Sequence, residues 1–214
     1  PAAEDLREVI EDLVERSGIG NGMIYLQLTR GTAPRKSPYP DVDPTIYIAV
    51  EEYRRGAGEL RREGASAILV DDIRWGRNDI KSINLLPKVM MAERAERADA
   101  YEAIYRDDDG YVWEATSTNI FLVVDGGLVT SPAGPRVLPG ETRADIIDLA
   151  SERDITVEVR PVTDVELLGA DEIFVTGTLT EVVGITDIDG ESIADGSVGP
   201  VTRQLFEAYE RRAK

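Results

Sequence analysis

The chain has 214 residues, enough for one domain or two small ones with a sizeable core, and its 42% hydrophobic and 30% charged residues exclude a disordered or fibrous chain. A formal charge of −17, from 41 Asp and Glu against 24 Lys and Arg, opposes nucleic acid and anionic membrane surfaces, since no basic patch interrupts it. Cysteine and histidine are both absent, which removes disulfides, thiol nucleophiles, zinc sites of the usual kind and every His-based dyad. No metal site is therefore expected, and acid–base work falls to Lys, carboxylates, Tyr, Ser or Thr.

Only four lysines occur, Lys36, Lys81, Lys88 and Lys214, in a chain otherwise rich in Arg and strongly acidic. That composition resembles proteins of salt-accumulating cells, where screening blunts the repulsion among carboxylates, and fits an ordinary acidic bacterial protein equally well. No apolar run approaches the roughly 20 residues that span a bilayer and no signal-peptide pattern opens the chain, so the expected compartment is the cytoplasm.

In chain order, Leu6, Val9, Ile10, Leu13 and Val14 share one face of a helix that Gly18 stops. A helix at the very start, with no methionine before it, points to an upstream part not included in the chain. Met23 to Thr29 alternates as a strand, and Thr45 to Val50 is its hairpin partner across a loop holding Arg35, Pro38 and Pro40. Ser66 to Val70 is a short apolar strand. Pro87 suits the first turn of a helix that runs to about Ala100. Strands follow at Glu102 to Arg106, Tyr111 to Glu114, Asn119 to Val124 and Leu128 to Thr130, with turns at Asp109-Gly110 and Gly126-Gly127. Thr142 to Ser151 is a helix, Ile155 to Val159 and Glu172 to Thr176 are strands, and Val201 to Arg212 is a terminal helix.

Strands in runs with helices between them predict an α/β or α+β body with a mixed or antiparallel sheet. A dinucleotide fold is disfavoured, because Gly56-Ala57-Gly58 has Arg61 where a third glycine belongs and follows no convincing strand.

Four segments carry candidate chemistry. Lys81 lies among apolar neighbours in Asp79-Ile80-Lys81-Ser82-Ile83-Asn84-Leu85-Leu86; a desolvated Lys loses proton affinity, and its neutral amine condenses with carbonyls. The ordinary alternative is a surface Lys whose stem lies on apolar side chains. Leu138-Pro139-Gly140-Glu141-Thr142-Arg143 leads into a helix whose free N–H groups attract anions, and Thr176-Gly177-Thr178-Leu179-Thr180 follows a strand and offers hydroxyls and close backbone approach. A helix cap at Thr142 and a plain turn at Gly177 are the alternatives. Glu114 ends a strand before Ala115-Thr116-Ser117-Thr118-Asn119, where its carboxylate can face a heteroaromatic cation or simply close a solvated turn. Amine, carboxylate and two anion cradles are together the parts that pyridoxal phosphate requires.

At these residues the sequence resembles the fold-type IV pyridoxal-phosphate aminotransferases, most of all the D-amino-acid transaminases and more distantly the branched-chain aminotransferases. The matching runs are Ile24 to Gly31 with Ala33-Pro34-Arg35, Asp72-Ile73-Arg74-Trp75, Asp79 to Leu86, Glu114 with Ser117 to Asn119, Leu138 to Arg143, and Ala170 to Thr176 with Thr178. The resemblance implies a homodimer acting on an amino acid and a 2-oxo acid, with Lys81 linked to the cofactor and later moving the substrate proton. It implies that Glu114 pairs with the pyridinium nitrogen and Leu138 lies against the ring. Gly140, Glu141, Thr142, Gly177 and Thr178 fall on the phosphate side, Thr118 is a further cofactor contact, and Arg35, Tyr25 and Leu179 lie on the substrate side.

The family's smaller N-terminal domain is then expected to end within residues 1–20, and the cofactor-carrying domain to occupy 21–214. Ser37 departs from the D-enzyme pattern, which carries His two residues beyond the substrate Arg. The rival expectations are a lyase of the aminodeoxychorismate type, using the same Lys and cofactor, and a catalytically idle remnant that binds cofactor.

Overall fold

The computed structural model describes residues 3–53 and 58–213, in two compact units, Pro1–Gly56 and Ala57–Lys214. Gly56 and Ala57 of the weak glycine fingerprint lie outside the described residues. In the first unit, α1 (Ala3–Ser17) precedes a hairpin of β1 (Gly22–Thr29) and β2 (Thr45–Glu52). Acidic Glu4 and Asp5 sit in the first turn of α1 and Arg16 in the last, which complements the helix dipole. The hairpin pairs antiparallel from Gly22↔Glu52 to Thr29↔Thr45, as the alternation predicts.

The second unit begins with α2 (Gly58–Glu63), β3 (Ala65–Asp71), α3 (Leu86–Arg97) and β4 (Glu102–Arg106). The meander β5 (Tyr111–Ala115), β6 (Asn119–Val124) and β7 (Gly127–Thr130) leads to α4 (Glu141–Ser151). Short β8 (Val157–Val159), β9 (Val162–Thr163) and α5 (Asp164–Leu168) precede β10 (Glu172–Gly177), β11 (Glu181–Ile188), β12 (Glu191–Ser192) and α6 (Pro200–Arg212). The strands form a sheet of order β8-β7-β6-β10-β11-β3-β4-β5-β9, with β12 added on β11. Pairs β3–β4, β3–β11 and β7–β8 are parallel and the rest antiparallel, which is the mixed sheet expected.

Curling of this sheet is visible in its interior. Ala67, Ile104, Val112, Ile120, Leu122, Val129, Val162, Ile173, Val175, Val183 and Ile185, drawn from eight different strands, pack into one cluster. The opposite face of β6 and β10 carries Phe121 and Phe174, stacked with centroids 5.0 Å apart, under Ile146 and Leu149 of α4 and Leu205 of α6. Met91 and Ala95 of α3 cover Val70, Ala103 and Tyr105 on β3 and β4. These packings hold the strand ends that carry the chemistry.

Some elements were not read from the sequence. β11 is a central strand whose apolar run is broken by Gly184, where a Cβ would lie 3.0 Å from Val198 Cγ2; the glycine that hides the strand is what lets the 198 segment pack on it. α5 carries a full capping box, Thr163 Oγ1 accepting from Glu166 N while the Glu166 carboxylate accepts from Thr163 N, a signature present in the sequence. The helix expected to reach Ala100 stops at Arg97, because Asp99 turns to φ 53.

Candidate active site

Glu114, at the end of β5, is the most constrained candidate. Its Oε1 accepts from Arg74 Nη1, and its Oε2 accepts from the backbone N–H of Leu138 at 2.9 Å and from Asn119 Nδ2 at 3.3 Å. Arg74 in turn grips Asp72 through Nε and Nη2, both at 2.8 Å, donates to the Arg136 carbonyl, and lies 4.1 Å from the centroid of the Tyr105 ring. Burial pushes the Glu114 carboxyl up, while Arg74, the Leu138 N–H and Lys88 oppose that push. At Asp72 burial acts the same way but is outweighed by the bonds and charge of Arg74, which hold this carboxyl below its usual range.

Next to this pair, the turn after β5 is fastened to Glu102 at the start of β4. The Glu102 carboxylate accepts from the N–H and hydroxyl of Thr116, from the N–H and hydroxyl of Ser117, and from Thr118 Oγ1 at 2.9 Å. The Thr118 hydroxyl proton is thereby committed to a carboxylate in this arrangement. A cavity of about 420 Å³ opens on the turn, lined by Lys81, Leu85, Lys88, Tyr101, Glu102, Glu114, Thr116 to Asn119 and Leu138. Its size lies in the ~300–1,000 Å³ range of small-molecule sites.

The segment between β3 and α3 is non-helical and places Lys81 on this cavity and on a smaller one, also lined by Arg74, Asn78, Ser82 and Lys88. Lys81 is exposed, contrary to the dry amine that its apolar neighbours predict: Ile80, Ile83, Leu85 and Leu86 are themselves exposed and do not enclose it. The half-buried lysine is Lys88, whose proton affinity is lowered first by burial.

Both expected anion cradles abut the same turn. A Cβ on Gly140 would stand 2.1 Å from Asn119 Oδ1, and one on Gly177 would stand 3.3 Å from Thr118 Cγ2, so glycine at each position permits the close approach. Gly140 is the N-cap of α4 and has no side chain to satisfy the first N–H groups; Thr142 is thus a buried first-turn residue and not the cap, and Glu141 is exposed. Thr176 Oγ1 is buried with no hydrogen-bond partner among the described residues, beside Gly177 and the exposed Thr178 and Leu179. In the first unit, Tyr25 is exposed on β1 and donates to Gln27 Oε1 at 2.7 Å, and Arg35 is exposed in the loop between β1 and β2.

Sequence reasoning assigned no role to Arg74, Glu102 or Asn119. Arg74 and Asn119 lie inside runs that carried the resemblance; Glu102 gives no local signal, since a single Glu heading a strand is ordinary.

A family model described as amino-transferase class IV matches residues 1–188. The D-alanine aminotransferase of Staphylococcus haemolyticus is 40% identical over 210 residues, covering 97% of this chain and 74% of the relative. A branched-chain amino acid aminotransferase of T.th., solved with pyridoxamine 5′-phosphate, superposes with a TM-score of 0.90 at 31% identity, covering 99% of this chain and 71% of that one. A putative 4-amino-4-deoxychorismate lyase of Legionella pneumophila reaches a TM-score of 0.86 at 20% identity over 99% of this chain and 77% of its own, a likeness of fold alone.

Proposed function

Because the chain belongs to the class IV aminotransferases and is a pyridoxal-phosphate-dependent transaminase, we propose that it moves amino groups from a D-amino acid, with D-alanine the leading donor, to a 2-oxo acid. The observation that carries the assignment of residues is the shared cavity: Lys81 and Glu114 line one space of suitable volume, with the carboxylate held in place by Arg74, Asn119 and the Leu138 N–H. The site fits the cofactor, since it offers an amine, a buried anion and an apolar Leu138 wall, with Gly140 and Gly177 packed so closely against Asn119 and Thr118 of its lining that a Cβ at either position would crowd them. When bound, pyridoxal phosphate supplies an aldehyde for the amino group and a ring that accepts electrons as Cα loses its proton.

The chain's own residues do the rest. Lys81 Nζ would hold the cofactor's aldehyde, and as a base would move the proton at the substrate Cα. Glu114 would hold the ring nitrogen, its carboxylate offering the anion that keeps that nitrogen protonated. Gly140, Glu141 and Thr142 offer the open start of α4 to the phosphate, with Gly177, Thr178 and Thr118 on the adjoining side. Arg35, Tyr25 and Leu179 bind substrate, Arg35 presenting a planar fork to the carboxylate. Ser37 replaces a second carboxylate contact, so a weakened grip on the substrate carboxylate, read as a raised KM, belongs to this proposal. A homodimer in the cytoplasm completes it.

The test is a donor panel on the protein containing this chain. D-alanine with 2-oxoglutarate is expected to give pyruvate and D-glutamate, with L-leucine and L-valine much poorer donors; preference for the L-donors overturns the D-assignment. Among the described residues, no helix is long and apolar enough to cross a membrane.

A prediction arises at Gly140. Alanine there drives a methyl into Asn119, whose amide bridges Glu114 and the Leu138 carbonyl. Overpacking of this kind costs about 1–3 kcal/mol, and we expect Gly140→Ala to weaken cofactor affinity while the fold persists. Cofactor titration beside a thermal melt measures both; an unchanged affinity contradicts the placement of Gly140 against the site.

A further inference from the structure

Two of the chain's four lysines, Lys81 and Lys88, line the same cavity, and the function proposed above uses only one of them. Lys88 is the third residue of α3, where the exposed N–H dipoles oppose a cation. It is half-buried. The charged groups around it are Lys81 from the segment before α3, Arg74 from the segment after β3, Glu102 from the start of β4 and Glu114 from the end of β5, with the Tyr101 hydroxyl on the same cavity wall. Burial lowers its proton affinity, Arg74 and Lys81 lower it further, and the two carboxylates act in the other direction. An amine whose proton affinity is lowered, on the wall of the cavity that would hold an aldehyde, has the properties that favour imine formation.

We propose that Lys88 is a second carbonyl-reactive amine of the cofactor cavity, one that condenses with the same pyridoxal phosphate aldehyde as Lys81. The step balances without a further reactant. Neutral Lys88 Nζ adds to the aldehyde carbon, its two protons leave with the carbonyl oxygen as water, and a C=N bond replaces the C=O bond. The inference rests on the reading of this cavity as the cofactor site, and the test separates the two.

The protein is incubated with pyridoxal phosphate, reduced with borohydride, digested and mapped by mass. In the wild type the phosphopyridoxyl mass is expected on Lys81. In Lys81→Ala it is expected on Lys88, well above any label on Lys36 or Lys214, and it disappears in Lys81→Ala/Lys88→Met. A Lys81→Ala protein with no adduct, or with Lys36 and Lys214 labelled as heavily as Lys88, overturns the inference while a wild-type label on Lys81 leaves the functional reading standing. A wild type labelled on neither lysine overturns both. A second measurement needs no variant: limiting acetic anhydride added to the cofactor-free protein at neutral pH is expected to label Lys88 ahead of Lys36 and Lys214, and equal rates overturn the lowered proton affinity on which the inference depends.

Discussion

Replacing Lys81 with alanine is expected to lower kcat for transamination by about 10²–10⁴-fold, the usual worth of a positioned general base. The residue is exposed and lies in a non-helical segment, so truncating it removes little packing and the folded structure survives. The loss therefore reports chemistry and not stability, which a thermal melt run beside the assay separates. Lys88 offers the aldehyde a second amine but comes from the first turn of α3, so it does not restore a base at the position of Lys81. Whatever slow turnover persists should fall again in Lys81→Ala/Lys88→Met. Wild-type kcat in the single variant would remove Lys81 from the centre of the mechanism.

Arg74→Met has the largest expected effect on stability. The guanidinium is 1% exposed and is the common partner of Asp72 and Glu114, whose side chains are 1% and 3% exposed. Methionine fills part of the volume but leaves two buried carboxylates without the guanidinium they share, with only Arg136 at 3.8 Å from Asp72 and the charge of Lys88 near Glu114, and removing one member of a buried ionic group costs about 3–5 kcal/mol. For a chain of this size each kcal/mol moves Tm by about 2–4 °C, so a fall of roughly 6–20 °C is expected.

The pH dependence gives a sharper signature. Asp72 is held below its usual range in the native state, so its contribution to wild-type stability is present at neutral pH and is lost as pH falls through the lowered native value. Without the Arg74 guanidinium, only the residue-74 backbone N–H and the charge of Arg136 still oppose burial at Asp72, so its proton affinity rises and protonation relieves the variant. The stability gap between wild type and Arg74→Met should narrow as pH drops from 7 toward about 4. A gap that is small, or that stays constant over that range, would show that Arg74 is not the counter-charge for these carboxylates.

Most of the strands and helices that position the site were legible in the sequence because their signals are local. The alternation in Met23 to Thr29 predicts the hairpin strand, Pro87 marks the first turn of α3, and the turns at Asp109-Gly110 and Gly126-Gly127 delimit the meander strands. β11 was not legible, since Gly184 interrupts its apolar run for a reason found only in the packing of Val198. The pairing of Glu114 with Arg74 spans 40 positions, and no spacing rule connects them.

The sequence by itself determined the kinds of chemistry open to this protein: without His or Cys, acid–base work falls to its four lysines, its carboxylates and its Tyr, Ser and Thr hydroxyls. It also determined the mixed-sheet class and the residues that carry the family resemblance, because those are properties of composition and short-range pattern. Tertiary structure alone decided which amine is the more buried and which carboxylate is anchored. Burial at the start of α3 lowers the proton affinity of Lys88 and leaves Lys81 open, and the antiparallel pairing of β4 with β5 brings Glu102 and Glu114 to one cavity. Desolvation and long-range ion pairing depend on what surrounds a side chain in space, and neighbours along the chain do not report that.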